Sequence, residues 1–194
     1  MGDSGDWVPF GLDANDAEQH RVLVDGVPSW LLEPLIAWLR PRLADDKKGF
    51  SVRSKVTRDI ELLTRIPKLG LPDVYSQWLD YERNHLRPLN EQQLLMVVDA
   101  VLSMMYKNGS ESVTRPLDEI LLVGRSKWHV GEGLGKPGLV ARVPEGVQDM
   151  VEHTITTSGT AGQLLGRAWG KVYGLVQDDS GAYTDSVKAV ETAA

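Results

Sequence analysis

The chain has 194 residues, of which 42% are hydrophobic, and it carries a formal net charge of −6. It contains no cysteine, which excludes disulfides, thiolate metal sites and cysteine nucleophiles. No apolar stretch approaches the roughly 18 residues of a membrane span, the start is too polar for a signal peptide, and Asp6 breaks a myristoylation signal. We expect a cytoplasmic protein whose overall charge repels nucleic acid and anionic membranes.

Residues 1–123 are predicted to form an N-terminal helical region. The β-branched run Val22–Val24 favours a short edge strand before an Asp-Gly turn. Ser29 is a candidate N-cap for the first helix, Pro34 is expected near the first turn, and Pro41 is expected to end the helix. The apolar stripe of this helix comprises Trp30, Leu31, Leu35, Trp38 and Leu39.

Two further helices are predicted before residue 90. The stretch Ala44–Gly49 is predicted to be a loop, and Ser51 is a candidate cap for a helix that ends at Pro67. Asp73 is a candidate cap for the next helix, whose apolar face includes His85. The apolar positions of these helices are Val52, Val56, Ile60, Leu63 and Ile66, then Val74, Trp78 and Tyr81.

Asn90 and Gln93 resemble a capping box that opens the most apolar helix of the chain. This helix is expected to close at Asn108-Gly109, and a short helical segment follows around Pro116–Val123. The apolar positions of the main helix are Leu94, Leu95, Val98, Val101, Leu102 and Met105.

Glycine becomes frequent in residues 124–143. Two short alternating runs, Lys127–Val130 and Leu139–Val143, predict a β-hairpin around a long Gly-rich loop. Residues 144–194 are predicted to form helices that pack on the same domain, with a break at Ser158-Gly159. The predicted fold is therefore mainly α, a helical bundle-like domain with a small β-hairpin near residues 126–143.

The four histidines are the natural candidates for acid–base or metal chemistry, and they are His20, His85, His129 and His153. None lies in an H-E-x-x-H motif. Asp149 is four residues before His153, a spacing more typical of a solvated pair than of half a metal site. His85 is interpreted as a hydrogen-bonded core or boundary residue. We predict no metal, no cofactor and no catalytic residue.

Residues on the hairpin are better candidates for binding. His129 lies near Arg125, Lys127 and Trp128, and we predict these four as ligand-contacting residues. The glycines of Gly131–Lys136 do not make a phosphate loop, because a proline follows the lysine and no helix begins there. The segment also lacks the third glycine of a dinucleotide fingerprint. We interpret it as a mobile hairpin tip.

The segment Arg40–Lys68 is basic inside an acidic chain. It holds nine basic residues and four acidic ones, a local charge of +5. Such a segment could meet RNA, an acidic protein surface, or the acidic remainder of the chain itself. Arg53, Lys55 and Arg58 are the candidate binding residues, although no interleaved aromatic residues favour single-strand binding.

Six tryptophans are many for this length. Four of them lie on predicted helical stripes, where core or interface burial is expected; these are Trp30, Trp38, Trp78 and Trp169. Trp7 and Trp128 lie outside such stripes and are better candidates for a protein–protein hot spot.

Several stretches carry a family resemblance. They are Ala168-Trp169, Tyr173-Gly174, Asp178, Ala182-Tyr183, Lys188–Glu191, Gly138–Val143 and Val27–Leu39. In these the chain resembles uncharacterised helical proteins of actinobacteria and their phages, which are similar to the C-terminal, HEPN-like region of abortive-infection proteins. The resemblance implies a role in phage defence, superinfection exclusion or host toxicity.

At its strongest, the resemblance also implies a ribonuclease with an Arg-x(4–6)-His motif. No histidine has an arginine at that spacing, and Arg125 is one residue too close to His129. The relatives continue further, so we expect a chain that is truncated relative to them.

The sequence is compatible with three functions. The favoured hypothesis is a non-enzymatic interaction protein, phage- or prophage-encoded, that binds a host or self partner. The alternatives are a ribonuclease-type abortive-infection effector and a nucleic-acid-binding regulator. A protein partner or a homo-oligomer is expected, nucleic acid is less favoured, and no membrane association is expected.

Overall fold

The computed structural model describes residues 22–45, 51–70, 77–105, 111–133, 136–143, 145–175 and 177–193. The chain divides into two compact units, one up to Lys127 and one from Trp128 onwards. The predicted fold class is confirmed, because the structure is mainly helical and contains one β-hairpin at the predicted place. The domain boundaries drawn at residues 123 and 143 remain predictions. In the described residues no helix is both long and apolar enough to cross a membrane.

The first unit consists of helices and a minimal strand pair. In chain order its elements are α1 (Ser29–Leu43), β1 (Ala44–Asp45), β2 (Ser51–Val52), α2 (Ser54–Thr64), α3 (Trp78–Tyr81) with a π-helical turn (Glu82–Leu86), α4 (Glu91–Met105) and α5 (Glu111–Val123). α1 packs against α4 and α5, and α2 packs against α4. α4 is the central helix of this unit, since buried apolar side chains occupy most of its circumference.

The predicted capping box at the start of α4 is confirmed. The main-chain N–H of Gln93 donates to Asn90 Oδ1 over 2.8 Å, and the N–H of Asn90 donates to Gln93 Oε1 over 3.0 Å. Two main-chain donors at the helix start are thereby satisfied, which is the purpose of such a box.

The prolines of α1 do not bound the helix as predicted. Both Pro34 and Pro41 lie inside it, and Pro28 rather than Ser29 is the N-cap. A proline inside a helix costs about 3 kcal/mol because it lacks a main-chain donor. The helix nevertheless continues to Leu43, since stopping earlier would expose buried side chains at its end.

The predicted start of α2 was also wrong. Ser51 and Val52 form β2, which pairs antiparallel with β1, and the helix begins at Ser54. The main-chain N–H of Arg53 donates to the carbonyl of Leu43 over 2.8 Å, which closes this strand pair. Periodicity alone missed the pair, because two residues per strand carry no alternating pattern.

The second unit is a hairpin followed by three helices. Its elements are β3 (Trp128–Gly133), β4 (Lys136–Ala141), α6 (Glu145–Thr157), α7 (Gly159–Tyr173) and α8 (Asp179–Ala193). The register runs from Trp128 opposite Ala141 to Gly133 opposite Lys136. The long Gly-rich loop predicted here was wrong, because most of its glycines lie in the paired strands.

Small residues let the helices of the second unit approach one another. Ala161, Gly162, Ala168 and Gly170 are buried along α7, which packs against both α6 and α8. The predicted break between α6 and α7 is confirmed: Gly159 has φ +54°, a conformation that glycine adopts without strain.

Candidate functional site

The first candidate surface surrounds the end of α5. The chain turns off the helix at Arg125, whose φ of +56° is left-handed. Beyond it, the segment pairs with the start of the described chain: Val24 donates to the carbonyl of Arg125 over 2.7 Å and accepts from the N–H of Lys127 over 3.0 Å. These bonds hold together two chain segments that are distant in sequence, one around Val24 and one from Arg125 to Lys127.

Trp30 lies beside these paired segments and is 61% exposed. Its indole N–H donates to the carbonyl of Gly124 over 3.3 Å, so the ring is held in place. The prediction that Trp30 belongs to the buried stripe of α1 was wrong. The buried positions Leu31, Leu35 and Trp38 recur every three or four residues, and Trp30 falls on a different face.

Other exposed apolar side chains occur in the same segments. Val123, at 73% exposure, directly precedes Gly124, and Leu23 directly precedes the paired Val24. We call the following set the Trp30 surface: Trp30, Val22, Leu23, Leu122 and Val123. A tryptophan held by a hydrogen bond, in segments that carry further exposed aliphatic side chains, is typical of a protein-binding site.

Two predicted binding residues border the Trp30 surface. Lys127 Nζ forms an ion pair with the carboxylate of Asp25, so this cation has a partner within the chain. Arg125 is half-buried and contributes its carbonyl to the pairing with Val24. Sequence reasoning placed both residues on the hairpin, whereas they precede it and belong to the first unit.

The second candidate surface is the outer face of α2. Thr57, Ile60 and Thr64 are buried, and Lys55 and Arg58 lie exposed on the opposite side. Arg53 has a structural role, because its Nε donates to the carbonyl of Ala44 over 3.0 Å. Of the three predicted basic residues, two therefore lie on the outer face of the helix.

The loop after α2 adds two more basic residues. Arg65 and Lys68 are exposed, and both adopt left-handed φ angles, +56° and +69°. Such angles cost free energy in residues other than glycine and persist only where neighbours impose them. We call Lys55, Arg58, Leu62, Arg65 and Lys68 the basic face. Its leucine, Leu62, is 71% exposed and was not anticipated from the sequence.

His85 and Tyr81 hold this loop through hydrogen bonds to its main chain. His85 Nδ1 lies 2.6 Å from the carbonyl oxygen of Lys68, and its ring stacks on that of Tyr81 at 5.2 Å. A carbonyl only accepts, so Nδ1 carries the proton and donates. The prediction that His85 is a hydrogen-bonded boundary residue is confirmed.

The two predicted binding residues of the hairpin, Trp128 and His129, lie in the second unit, and neither is fully exposed. Trp128 is only 7% exposed at the start of β3, and half-buried His129 pairs in register with Val140. His153 is exposed on α6, while the side chain of Asp149 lies outside the described residues, as do His20 and Trp7. No group of three or more potential metal-ligating side chains occurs in the part of the chain that the structure describes.

α8 carries a third exposed surface. Tyr183, Val187 and Val190 follow one another at helical spacing on its outer side. On its inner side, Asp185 is buried and contacts Lys171 Nζ at 3.0 Å and Arg167 Nε at 3.6 Å. The hydrogen bond from Lys171 is the main reason that the pKa of Asp185 lies below its ordinary value.

Comparison with protein-family models, with curated proteins and with solved structures finds no match to this chain.

Proposed function

We propose that the protein binds a short apolar segment of another protein through the Trp30 surface. The exposure of Trp30 is the observation that carries this proposal. A large aromatic side chain left in water gives up roughly 1.5–3 kcal/mol of burial free energy, which a partner can recover. Tryptophan is also among the residues most enriched at binding hot spots.

The ring is prepared for binding before any partner arrives. Its hydrogen bond to Gly124 fixes the side chain, so binding loses little rotamer entropy there. Its surroundings are fixed as well, because Val24 bonds to Arg125 and Lys127 on both of its main-chain groups. A pre-ordered aromatic anchor strengthens binding without further contacts.

The size of the surface supports a short partner segment. The five apolar side chains are far fewer than the roughly 20–30 residues per side of a standard interface. A second copy of the chain would have to bury a larger area to form a stable dimer. A peptide-like element of a different protein fits the available surface better.

The resemblance to abortive-infection proteins supplies the biological setting of this proposal. In that setting the chain is phage- or prophage-encoded, acts in the cytoplasm, and binds a host protein in phage defence, superinfection exclusion or host toxicity. Binding rather than catalysis is the proposed mode of action. Histidine-dependent cleavage of total RNA by the purified protein, lost in His129→Ala or His153→Ala, would contradict it.

The test uses the full chain as bait in a bacterial host lysate, with quantitative mass spectrometry. Trp30→Ala and Val123→Asp should each lose the specific partner. Leu79→Ala, which truncates a similarly exposed side chain elsewhere in the first unit, should retain it. The captured protein is then purified, and its affinity for each variant is measured directly. We expect at least about a tenfold weakening for Trp30→Ala, which corresponds to about 1.4 kcal/mol.

Two results would overturn the proposal. One is that all variants capture the same proteins with the same affinity. The other is that light scattering shows a dimer of the wild-type chain that Trp30→Ala dissociates, since the occupant would then be a second copy. Circular dichroism of each variant confirms that it is folded.

A further inference from the structure

The basic face combines positive charge with an exposed leucine. Lys55, Arg58 and Leu62 follow one another at helical spacing on the outer side of α2. Residues 51–70 contain five basic side chains and two carboxylates. One of these carboxylates, Glu61, accepts a hydrogen bond from the N–H of Gly70 and thereby holds the loop. A complementary ligand needs both negative charge and apolar groups.

The loop from Arg65 to Gly70 holds its two cations in place. Its backbone is bonded at three points: Gly70 to Glu61, Leu69 to the Tyr81 hydroxyl, and Lys68 to His85. The loop also returns directly to α2, because a Cβ at Gly70 would lie only 3.1 Å from the Cα of Arg58. The cations of the helix and of the loop therefore belong to one rigid piece of structure.

We propose that the basic face binds the chain's own N-terminal segment, residues 3–18. Within residues 1–20 there are five carboxylates and no lysine or arginine. Four large apolar side chains lie between Asp6 and Asp13, namely Trp7, Val8, Phe10 and Leu12. This segment offers the negative charge that the cations attract and the apolar groups that cover Leu62.

Nucleic acid fits the basic face less well. A phosphate backbone would neutralise the cations but would leave the exposed leucine against a charged strand. Residues 1–20 carry five of the six net negative charges of the chain, so an acidic N-terminal segment close to the basic face would itself repel a polyanion. This segment also has a high local concentration near the basic face, because it is tethered to the same chain.

The tether is long enough for this contact. The described chain begins at Val22, and an extended chain spans about 3.3 Å per residue. The roughly ten residues between Leu12 and Val22 thus reach about 33 Å, similar to the diameter of a small domain. No residue of the basic face belongs to the Trp30 surface, and this proposal does not depend on the function proposed above.

The absence of cysteine makes a direct test simple. Spin labels are attached to the full chain carrying Ser4→Cys and Asn84→Cys, and pulsed electron paramagnetic resonance measures the distance between them. We expect a defined short-distance population at about 0.1 M salt that declines at about 1 M, where the Debye length falls from about 10 to about 3 Å. Lys55→Glu with Arg58→Glu should abolish this population.

Two further variants control for net charge. Reversing Arg115 and Lys188, which are exposed basic residues outside the basic face, should leave the short-distance population intact. Adding Asp13→Lys and Asp16→Lys to the Lys55→Glu, Arg58→Glu chain should restore part of it, because two lysines of the segment can then pair with the two introduced glutamates. Rescue of this kind is not expected from a merely misfolded variant.

Several outcomes would overturn the proposal. A distance distribution unchanged by Lys55→Glu with Arg58→Glu would do so. So would a short distance that disappears when labelled chains are diluted with unlabelled ones, because the contact would then lie between molecules. If the reversal leaves the distances unchanged but abolishes binding of a labelled single-stranded RNA, the basic face is a nucleic-acid site instead.

Discussion

Tyr81 donates its phenolic hydrogen to the main-chain carbonyl of Leu69 over 3.1 Å, and both residues are buried. Burial is the main reason that the pKa of Tyr81 lies above its ordinary value, and the nearby Glu61 raises it further. The hydroxyl therefore remains a donor at any physiological pH. This bond ties the loop of the basic face to the core of the first unit.

Tyr81→Phe should destabilise the first unit by about 1–3 kcal/mol, because the carbonyl of Leu69 loses this donor in a buried position. Urea unfolding followed by tryptophan fluorescence measures the change. Amide hydrogen exchange at Gly70 should also accelerate as the loop loosens. Tyr183→Phe removes the same hydroxyl from an exposed side chain and should change the stability by less than about 0.5 kcal/mol. Equal effects of both variants would refute this role of Tyr81.

Asp185→Asn should make the stability of the second unit less dependent on pH. The pKa of Asp185 is lowered in the folded chain, mainly by its hydrogen bond from Lys171. The unfolded chain therefore binds the proton more readily, so the carboxylate stabilises the fold at neutral pH and loses that effect as the pH falls through its folded pKa.

The corresponding measurement compares urea unfolding of wild type and Asp185→Asn at pH 7 and at about pH 3, below the ordinary aspartate pKa of about 3.9. The variant should be less stable at pH 7, and the difference should shrink in acid. Glu191→Gln, which neutralises an exposed carboxylate on the same helix, serves as the control. A difference that grows in acid would contradict the expected sign.

Gly162→Ala and Gly166→Ala should have opposite effects on the same helix. A Cβ at Gly162 would lie 2.2 Å from the carbonyl oxygen of Ile155, a main-chain atom that cannot move independently. The substitution should cost about 1–3 kcal/mol. A Cβ at Gly166 would come no closer than 3.4 Å, to the side chain of Ile155, so alanine there should stabilise α7 by up to about 1 kcal/mol. Thermal unfolding of the pair tests the expected difference in sign.

Asn90→Ala should destabilise the first unit by about 1 kcal/mol, because it removes the side chain that caps the N–H of Gln93. Gln92→Ala substitutes an exposed neighbour that takes no part in the box and should be nearly neutral. Chemical denaturation of both variants measures how much the cap contributes to the free energy of unfolding. Indistinguishable midpoints would show that solvent replaces this cap without loss.

The sequence by itself determined the mainly helical fold, the existence of the hairpin and the capping box of α4. These features are local: helical periodicity, alternation and short-range side-chain bonds are legible within a few residues. The buried stripe of α4 was legible for the same reason. Among the site residues, the basic character of α2 was visible, because charge is a property of composition.

Only the tertiary structure decided which side chains face water. Apolar periodicity placed Trp30 and Leu63 on buried stripes, but both are exposed, because none of the described helices and strands covers their faces. The same applies to α1, which continues through two prolines. Contacts with residues distant in sequence bury the side chains of its later turns and stabilise them. The left-handed angle of Lys68 likewise belongs to a loop whose carbonyl at Lys68 is bonded to His85, which is distant in sequence. The burial of a side chain depends on which helices and strands pack against each other, and a local sequence pattern does not specify that packing.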